Sequence, residues 1–275
     1  MTDTIAASER ADTGQRGGSL DRIRAVARHD LRILRSDPAF LVIFTVMPLL
    51  FMAFSRDAMG LALATEYPGQ EVNGAAFMVP AGAVLFSGFL VGNLGFGIFR
   101  EHGWGTWERL RASPLSSVEL MAGKSVVPIL SLAIQLGALL GGGALLFDLE
   151  LTGSPAAFVA VAVALGVMQV ALGFMLLALC RSVIQLNALT NAGAMALGGL
   201  GGALSPVELL PGWAQALAPF VPTYWAMQGF REVTLEGGGL GDVAVPVAVL
   251  FGYAVAFAAV ALARMDVESS KTSWA

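Results

Sequence analysis

The chain has 275 residues, 56% hydrophobic and only 13% charged, with a net charge of −4 and a mean hydropathy of +0.72. Soluble domains carry about 25% charged residues, so too little polar surface remains here to coat a water-soluble globule. The net charge says nothing about nucleic acid, but no basic face larger than a juxtamembrane helix appears, so no nucleic-acid partner is expected; the single cysteine, Cys180, excludes an internal disulfide.

Residues 1–18 are polar, hold three acids (Asp3, Glu9, Asp12) and lack the apolar core of a signal peptide. They are expected to form a disordered cytoplasmic tail. The spacing next predicts an amphipathic helix over 19–37. Ser19 suits its N-cap and Asp21 its first turn. Leu20, Ile23, Ala27, Leu31 and Leu34 share one face. Arg24, Arg28, Arg32 and Arg35 share another, and Pro38 ends the helix. Such a helix lies in the membrane interface with its arginines against anionic lipid. The same arginines also enforce topology.

Six uncharged stretches follow: Pro38–Ser55, Val72–Phe99, Ser125–Phe147, Leu151–Cys180, Ser182–Val207 and Val243–Ala263. Each reaches the roughly 17–25 residues that cross a bilayer as a helix. The expected fold is therefore an all-α integral membrane protein. Six transmembrane helices fill 38–263, preceded by the interfacial helix and followed by a cytoplasmic tail at 264–275. With the N-terminus inside, only Arg56 and Arg231 of the 16 lysines and arginines fall outside. Positive residues resist translocation, so both termini are expected in the cytoplasm.

The stretch Leu209–Phe230 is also uncharged, but it contains Pro211, Pro219 and Pro222. Proline removes backbone donors that lipid cannot replace. Broken re-entrant or interfacial helices on the outer side are expected there, before the last span, in preference to a seventh span.

The inner loop Arg100–Lys124 is the longest charged connection. Thr106 suits the cap of a short helix over Trp107–Arg111, and Pro114 its stop. Glu108, Arg109 and Arg111 would face the cytosol, with Trp104, Trp107 and Leu110 against an apolar surface. An interfacial aromatic anchor and a docking knob for a cytosolic partner both fit. Gly123-Lys124-Ser125 imitates the end of a phosphate-binding loop, but Val118 stands where the pattern needs glycine. The chain is thus not expected to bind nucleotide.

No catalytic set emerges. His29 and His102 are the only histidines, and neither lies in an apolar run, which disfavours a Ser–His intramembrane protease. No acid sits mid-span, which disfavours an aspartyl dyad or proton relay. No Cys/His cluster suggests a metal. Neutral polar residues within the spans are Ser87, Asn93, Ser131, Gln135, Gln169, Asn187, Thr190 and Asn191. They either line a pathway or form interhelical hydrogen bonds. Asn187 and Asn191, one turn apart, are the best candidates for a lining or a subunit seam. Gly88/Gly92, Gly137/Gly141 and Gly198/Gly202 read as close-packing pairs.

Two stretches together resemble the membrane subunit of type-2 ATP-binding-cassette exporters, in their drug-resistance permease branch. The first is Glu101, Gly105, Thr106, Glu108, Leu110, Ser113, Pro114, Ser116, Glu119, Gly123 and Lys124. The second is Pro206, Glu208, Leu210, Pro211, Trp213, Pro222, Tyr224 and Arg231. The likeness covers about residues 20–265, and Gly103-Trp104 departs from it where a basic residue is common.

The resemblance implies a homodimer bound to two copies of a separate cassette ATPase, which would hold Mg-ATP. It implies that Glu101, Gly105, Thr106, Glu108, Arg109, Leu110, Arg111 and Pro114 form the ATPase-coupling segment, supported by the N-terminal helix. It also implies that Pro206, Pro211, Pro222 and Tyr224 belong to an outer gate. Short outer loops and three tyrosines favour small amphiphiles or lipids as cargo over a polysaccharide or glycolipid. An ion-coupled carrier and a non-transport membrane scaffold remain as alternatives from other classes.

Overall fold

The computed structural model describes residues 18–36, 38–66, 73–92, 99 and 115–264, which form helices and turns with no strand among them. Helix α1 is Ser19–Ser36, with Asp21 in its first turn and Arg35 in its last, each suited to the helix dipole. Helix α2 is Ala39–Glu66. It continues about three turns beyond Ser55, where the uncharged run ends. Arg56 does not break it, because its guanidinium pairs with Asp57 (3.2 Å) and lies over the Phe147 ring.

Helix α3, Ala75–Leu90, is almost wholly buried and forms the centre of the bundle. Helix α4, Ser117–Gly137, passes through a π segment, Ala138–Gly142, into α5, Gly143–Leu146. Helix α6 is Pro155–Leu179, with proline in its first turn, where its missing N–H is not needed. Helix α7, Val183–Leu200, is capped by Ser182, whose Oγ accepts from the Gln185 N–H. Among the described residues, four stretches are long and apolar enough to cross a membrane: Leu41–Thr65, Val118–Leu146, Pro155–Leu179 and Ala244–Arg264. Helix α3 is apolar but has 16 residues, and α7 carries Gln185, Asn187 and Asn191.

The proline-rich stretch breaks where its prolines stand. It forms a 3-10 turn (Val207–Leu209), α8 (Gly212–Leu217), a second 3-10 turn (Ala218–Phe220) and α9 (Pro222–Thr234). The last helix, α10, is Ala244–Arg264 and runs along α6. Phe158 of α6 packs on Phe230 of α9 at 5.2 Å between ring centroids.

The expected glycine pairs divide. A Cβ on Gly88 would sit 3.2 Å from that of Ala194, and one on Gly198 would reach Leu85 at 2.5 Å, so α3 and α7 use small residues to approach closely. A Cβ on Gly137 or Gly141 would meet nothing within 4 Å among the described residues.

One end of the bundle is knitted by its loops. Asn73 Nδ2 donates to the carbonyls of Phe147 (2.9 Å) and Asp148 (3.1 Å). The Gly153 N–H donates to Val233 O and the Ser154 N–H to Gly238 O. Thr152 Oγ1 donates to Val233 O and accepts from the Gly237 N–H.

Candidate functional site

At the opposite end, two ion pairs fasten α1 to the first turns of α4. Arg22 grips Glu119 with both sides of its guanidinium, Nη2 to Oε1 at 2.7 Å and Nε to Oε2 at 3.2 Å. This fork matches a carboxylate in geometry as well as charge. The bonded Glu119 raises the Arg22 pKa above its ordinary value. Glu119 is already aimed by a capping box: its side chain accepts from the Ser116 N–H, and Ser116 Oγ accepts from the Glu119 N–H.

The second pair joins Lys124 Nζ to Asp30 Oδ1 at 2.9 Å, with the side chains only 3% and 11% exposed. Between the pairs the helices nearly touch. A Cβ at Gly123 would lie 2.7 Å from Val26 Cβ and 3.1 Å from Ile23 O, so only glycine fits without a shift.

Helix α1 therefore presents three faces. Arg22, Val26 and Asp30, four residues apart, meet α4. Ile23, Leu31 and Leu34 are half-buried on the apolar stripe, and Leu20 at its start is exposed. Arg28 and Arg32 are exposed on the cationic flank. The α4-facing side was not apparent in the sequence, because its partners lie 94 and 97 residues away. The Ser116–Glu119 capping box was a legible signal that α4 begins at Ser117, eight residues before the uncharged run.

The expected coupling residues Glu101, Gly105, Thr106, Glu108, Arg109, Leu110, Arg111 and Pro114 lie outside the described residues, as does Asn93. The chain after that loop re-enters the described structure at Leu115 and Ser116, directly at the cap that holds Glu119.

In the core, Gln135 and Gln169 are buried and engaged within the bundle. Gln135 Nε2 donates to Phe44 O (2.8 Å) and Phe86 O (3.3 Å). Pro48 has no N–H to give the Phe44 carbonyl one turn earlier. Gln135 supplies that donor from a neighbouring helix. Gln169 Nε2 donates to Ser87 Oγ at 3.0 Å. Asn187 and Asn191 are exposed on α7. Thr190, between them, turns inward and is 4% exposed.

At the knitted end, Arg231 Nη1 donates to Glu208 Oε1 (2.6 Å) and its Nε to Glu236 Oε1 (3.1 Å). The pair rims a hollow floored by Leu63, Phe77, Met227 and Phe230. Pro206 and Pro222 are buried, Tyr224 is half-buried and Pro211 is exposed. Tyr253 Oη of α10 donates to Phe220 O at the turn before α9. No cluster of His, Cys, Asp or Glu among the described residues could hold a metal.

A bundle of apolar helices with a charged helix fastened to its base has the build of a membrane permease. The chain belongs to the ABC-2 type transporter family, whose pattern matches residues 23–235, from α1 to the end of α9. That family comprises the membrane subunits of type-2 ATP-binding-cassette exporters, not the ATPases. The linearmycin resistance permease protein LnrN of Bacillus subtilis (strain 168) is similar, with 27% identity over 198 residues. The alignment covers 72% of this chain and 51% of LnrN, so the chain spans about half the length of that curated relative.

Proposed function

We propose that this chain is the permease subunit of an ATP-driven exporter of the bacterial inner membrane. It moves small hydrophobic or amphiphilic compounds, or lipids, out of the cytoplasm or the inner leaflet. Two copies form the pathway, and each binds a separate cassette ATPase that holds Mg-ATP.

The observation that carries this reading is the double clamp Arg22–Glu119 and Asp30–Lys124 around the Val26–Gly123 contact. It joins the interfacial helix to α4 where the charged loop enters the membrane domain. A push on Glu101–Pro114 from an ATPase would act on α1 and α4 as one body. Glu101, Gly105, Thr106, Glu108, Arg109, Leu110, Arg111 and Pro114 are the proposed docking segment.

The proposed topology has six spans, α2, α3, α4 with α5, α6, α7 and α10, with both termini cytoplasmic. The sequence division into tail (1–18), interfacial helix (19–37), membrane domain (38–263) and C-terminal tail (264–275) is kept. The broken stretch 206–234 is read as re-entrant from outside, with Pro206, Pro211, Pro222 and Tyr224 in an outer gate. The Tyr253–Phe220 hydrogen bond supports this, because Tyr253 lies nine residues along α10, roughly 13 Å from its outer end. Asn187 and Asn191 are assigned to the seam between two copies, since two exposed amides one turn apart suit a second α7 better than lipid. The resistance in LnrN's name favours a small toxic compound over a polysaccharide as cargo.

The test is copurification with a cassette ATPase and ATP-driven export from reconstituted vesicles. Glu108→Arg is expected to leave membrane insertion intact while binding and export fall together. Like charges set against each other at an interface can cost several kcal/mol. Full binding and full export by this variant would reduce the loop to an anchor.

A further inference from the structure

Between α7 and α9 the chain is fastened at two points and loosely held between them. The first point is the end of α7. Thr223 Oγ1 donates to Leu197 O, and a Cβ at Gly201 would lie 2.7 Å from the Tyr224 nitrogen, so this turn is pressed onto the start of α9. The second point is the turn before α9. There Ala218 is fully buried, Trp225 Nε1 donates to Pro219 O, and Tyr253 Oη donates to Phe220 O.

Of residues 203–217, which lie between these points, only Ala203, Pro206 and Ala214 are buried. The hydrogen bonds here are local. The Leu209 N–H donates to Pro206 O, the Leu210 N–H to Val207 O, and Gln215 Nε2 to Glu208 O and Leu210 O. A segment with little buried surface and local bonds opens at low cost. Gly202 begins it at φ +86°, where glycine turns without strain.

The tie from this segment to α9 is the ion pair Glu208–Arg231 at 2.6 Å, with side chains 48% and 25% exposed. Breaking it strands neither charge. Arg231 keeps Glu236 at 3.1 Å, and Glu208 returns to water that it already meets. Beneath the pair is the hollow floored by Leu63, Phe77, Met227 and Phe230. Its volume of about 30 Å3 admits one water and no cargo.

We infer that residues 203–217 form a lid over this apolar floor, hinged at Gly202 and Ala218, with Glu208–Arg231 as its latch. A pair this exposed shifts an open–closed balance only a few-fold, which suits a part that must open and close. The lid's role in release rests on the outer-gate reading; its opening does not.

The experiment uses the purified full chain in lipid nanodiscs, in a Cys180→Ser background, with Met227→Cys as the reporter on the floor. Phe77→Cys on α3 is a second reporter, so the result does not hang on one substitution. A maleimide on a short, uncharged polyethylene glycol reads the rate of modification. Both reporters should react far more slowly than Leu240→Cys, which is exposed at the same end. Glu208→Gln should raise their rates roughly two- to fivefold, as for loss of one exposed ion pair. High salt should raise them in the parent and not in Glu208→Gln. Glu236→Gln takes away the other partner of Arg231 and leaves the latch, so the rates should not rise.

Rates unmoved by both Glu208→Gln and salt would overturn the latch. An equal rise in Glu236→Gln would also overturn it, because general loosening of this end would then be the cause. Reporters as reactive as Leu240→Cys in the parent would overturn the lid. Faster labelling with unaltered ATP-driven export in Glu208→Gln would overturn the lid's part in release. A parent that labels as expected but exports nothing would overturn the export reading and keep the lid.

Discussion

Gln135 Nε2 stands 2.8 Å from the carbonyl oxygen of Phe44, the acceptor that Pro48 leaves without its helical donor. In lipid no water can take that place. The glutamine thus makes a proline tolerable within α2, and it binds three helices through Phe44, Phe86 and its own backbone.

Gln135→Leu should therefore destabilise the protein by about 1–3 kcal/mol, the cost of a buried polar group left unpaired. Pro48→Ala returns a backbone N–H to the Phe44 carbonyl. The double variant should lose clearly less than the sum of the two changes, with coupling of about 0.5 kcal/mol or more. Denaturation in mild detergent measures both. Strictly additive losses would mean that Gln135 does not serve Phe44.

The clamp at the base gives a second prediction. Asp30→Lys sets two buried ammonium groups together. Removing one partner of a buried pair typically costs about 3–5 kcal/mol. The reciprocal variant Asp30→Lys with Lys124→Asp should recover most of the melting temperature and the bound ATPase. Failure of the swap to rescue either readout would show that the pair's orientation, and not its attraction, is what matters.

The asparagines of α7 give a third. Asn187 and Asn191 are exposed, so Asn187→Leu with Asn191→Leu should leave the melting of a single copy unchanged. Interhelical hydrogen bonds in membranes average about 0.6 kcal/mol, so four asparagines across a two-fold seam should weaken self-association more than tenfold. Energy transfer between labelled copies in liposomes reads this. Unchanged association would move the seam elsewhere.

Topology supplies a fourth. In a Cys180→Ser background, a cysteine at Trp213, which is 66% exposed, should react with an impermeant thiol reagent applied to intact cells. A cysteine at Ser116 should react only after permeabilisation. The reverse pattern would invert the assigned orientation.

Much of the fold was legible in the sequence because bilayers impose simple lengths. The apolar runs fall on the observed long helices, although α2 overruns its stretch and α4 starts before its own; Pro38 follows the end of α1, whose cap falls on Gly18 and not on Ser19, and Pro211, Pro219 and Pro222 break the outer stretch. The misses have physical causes. Arg56 marks the end of an apolar run but not of a helix, since Asp57 and the Phe147 ring accommodate its charge. Glu119 and Lys124 read as loop charges because their partners on α1 are distant in sequence, although Ser116 and Glu119 had the spacing of a capping box. Thr190 stood in the sequence among the polar residues that either line a pathway or bond between helices, and only three-dimensional packing reveals that its buried hydroxyl has no hydrogen-bond partner among the described residues.

The knitted loops decide where this protein can be lengthened. Around Gly153 the backbone is committed to Val233 and Gly238, and any side chain there would run into the Gly238 carbonyl. An epitope tag spliced in at Gly153 would part α6 from α9. Between Leu240 and Gly241 the situation is the opposite: Leu240 is exposed, a Cβ at Gly241 meets nothing, and the Asp242 N–H to Gly239 O turn is purely local. Insertions are tolerated where exposed chain makes few distant bonds. Leu240–Gly241 is thus the place for a reporter or an added domain, and the bundle beneath it would not register the change.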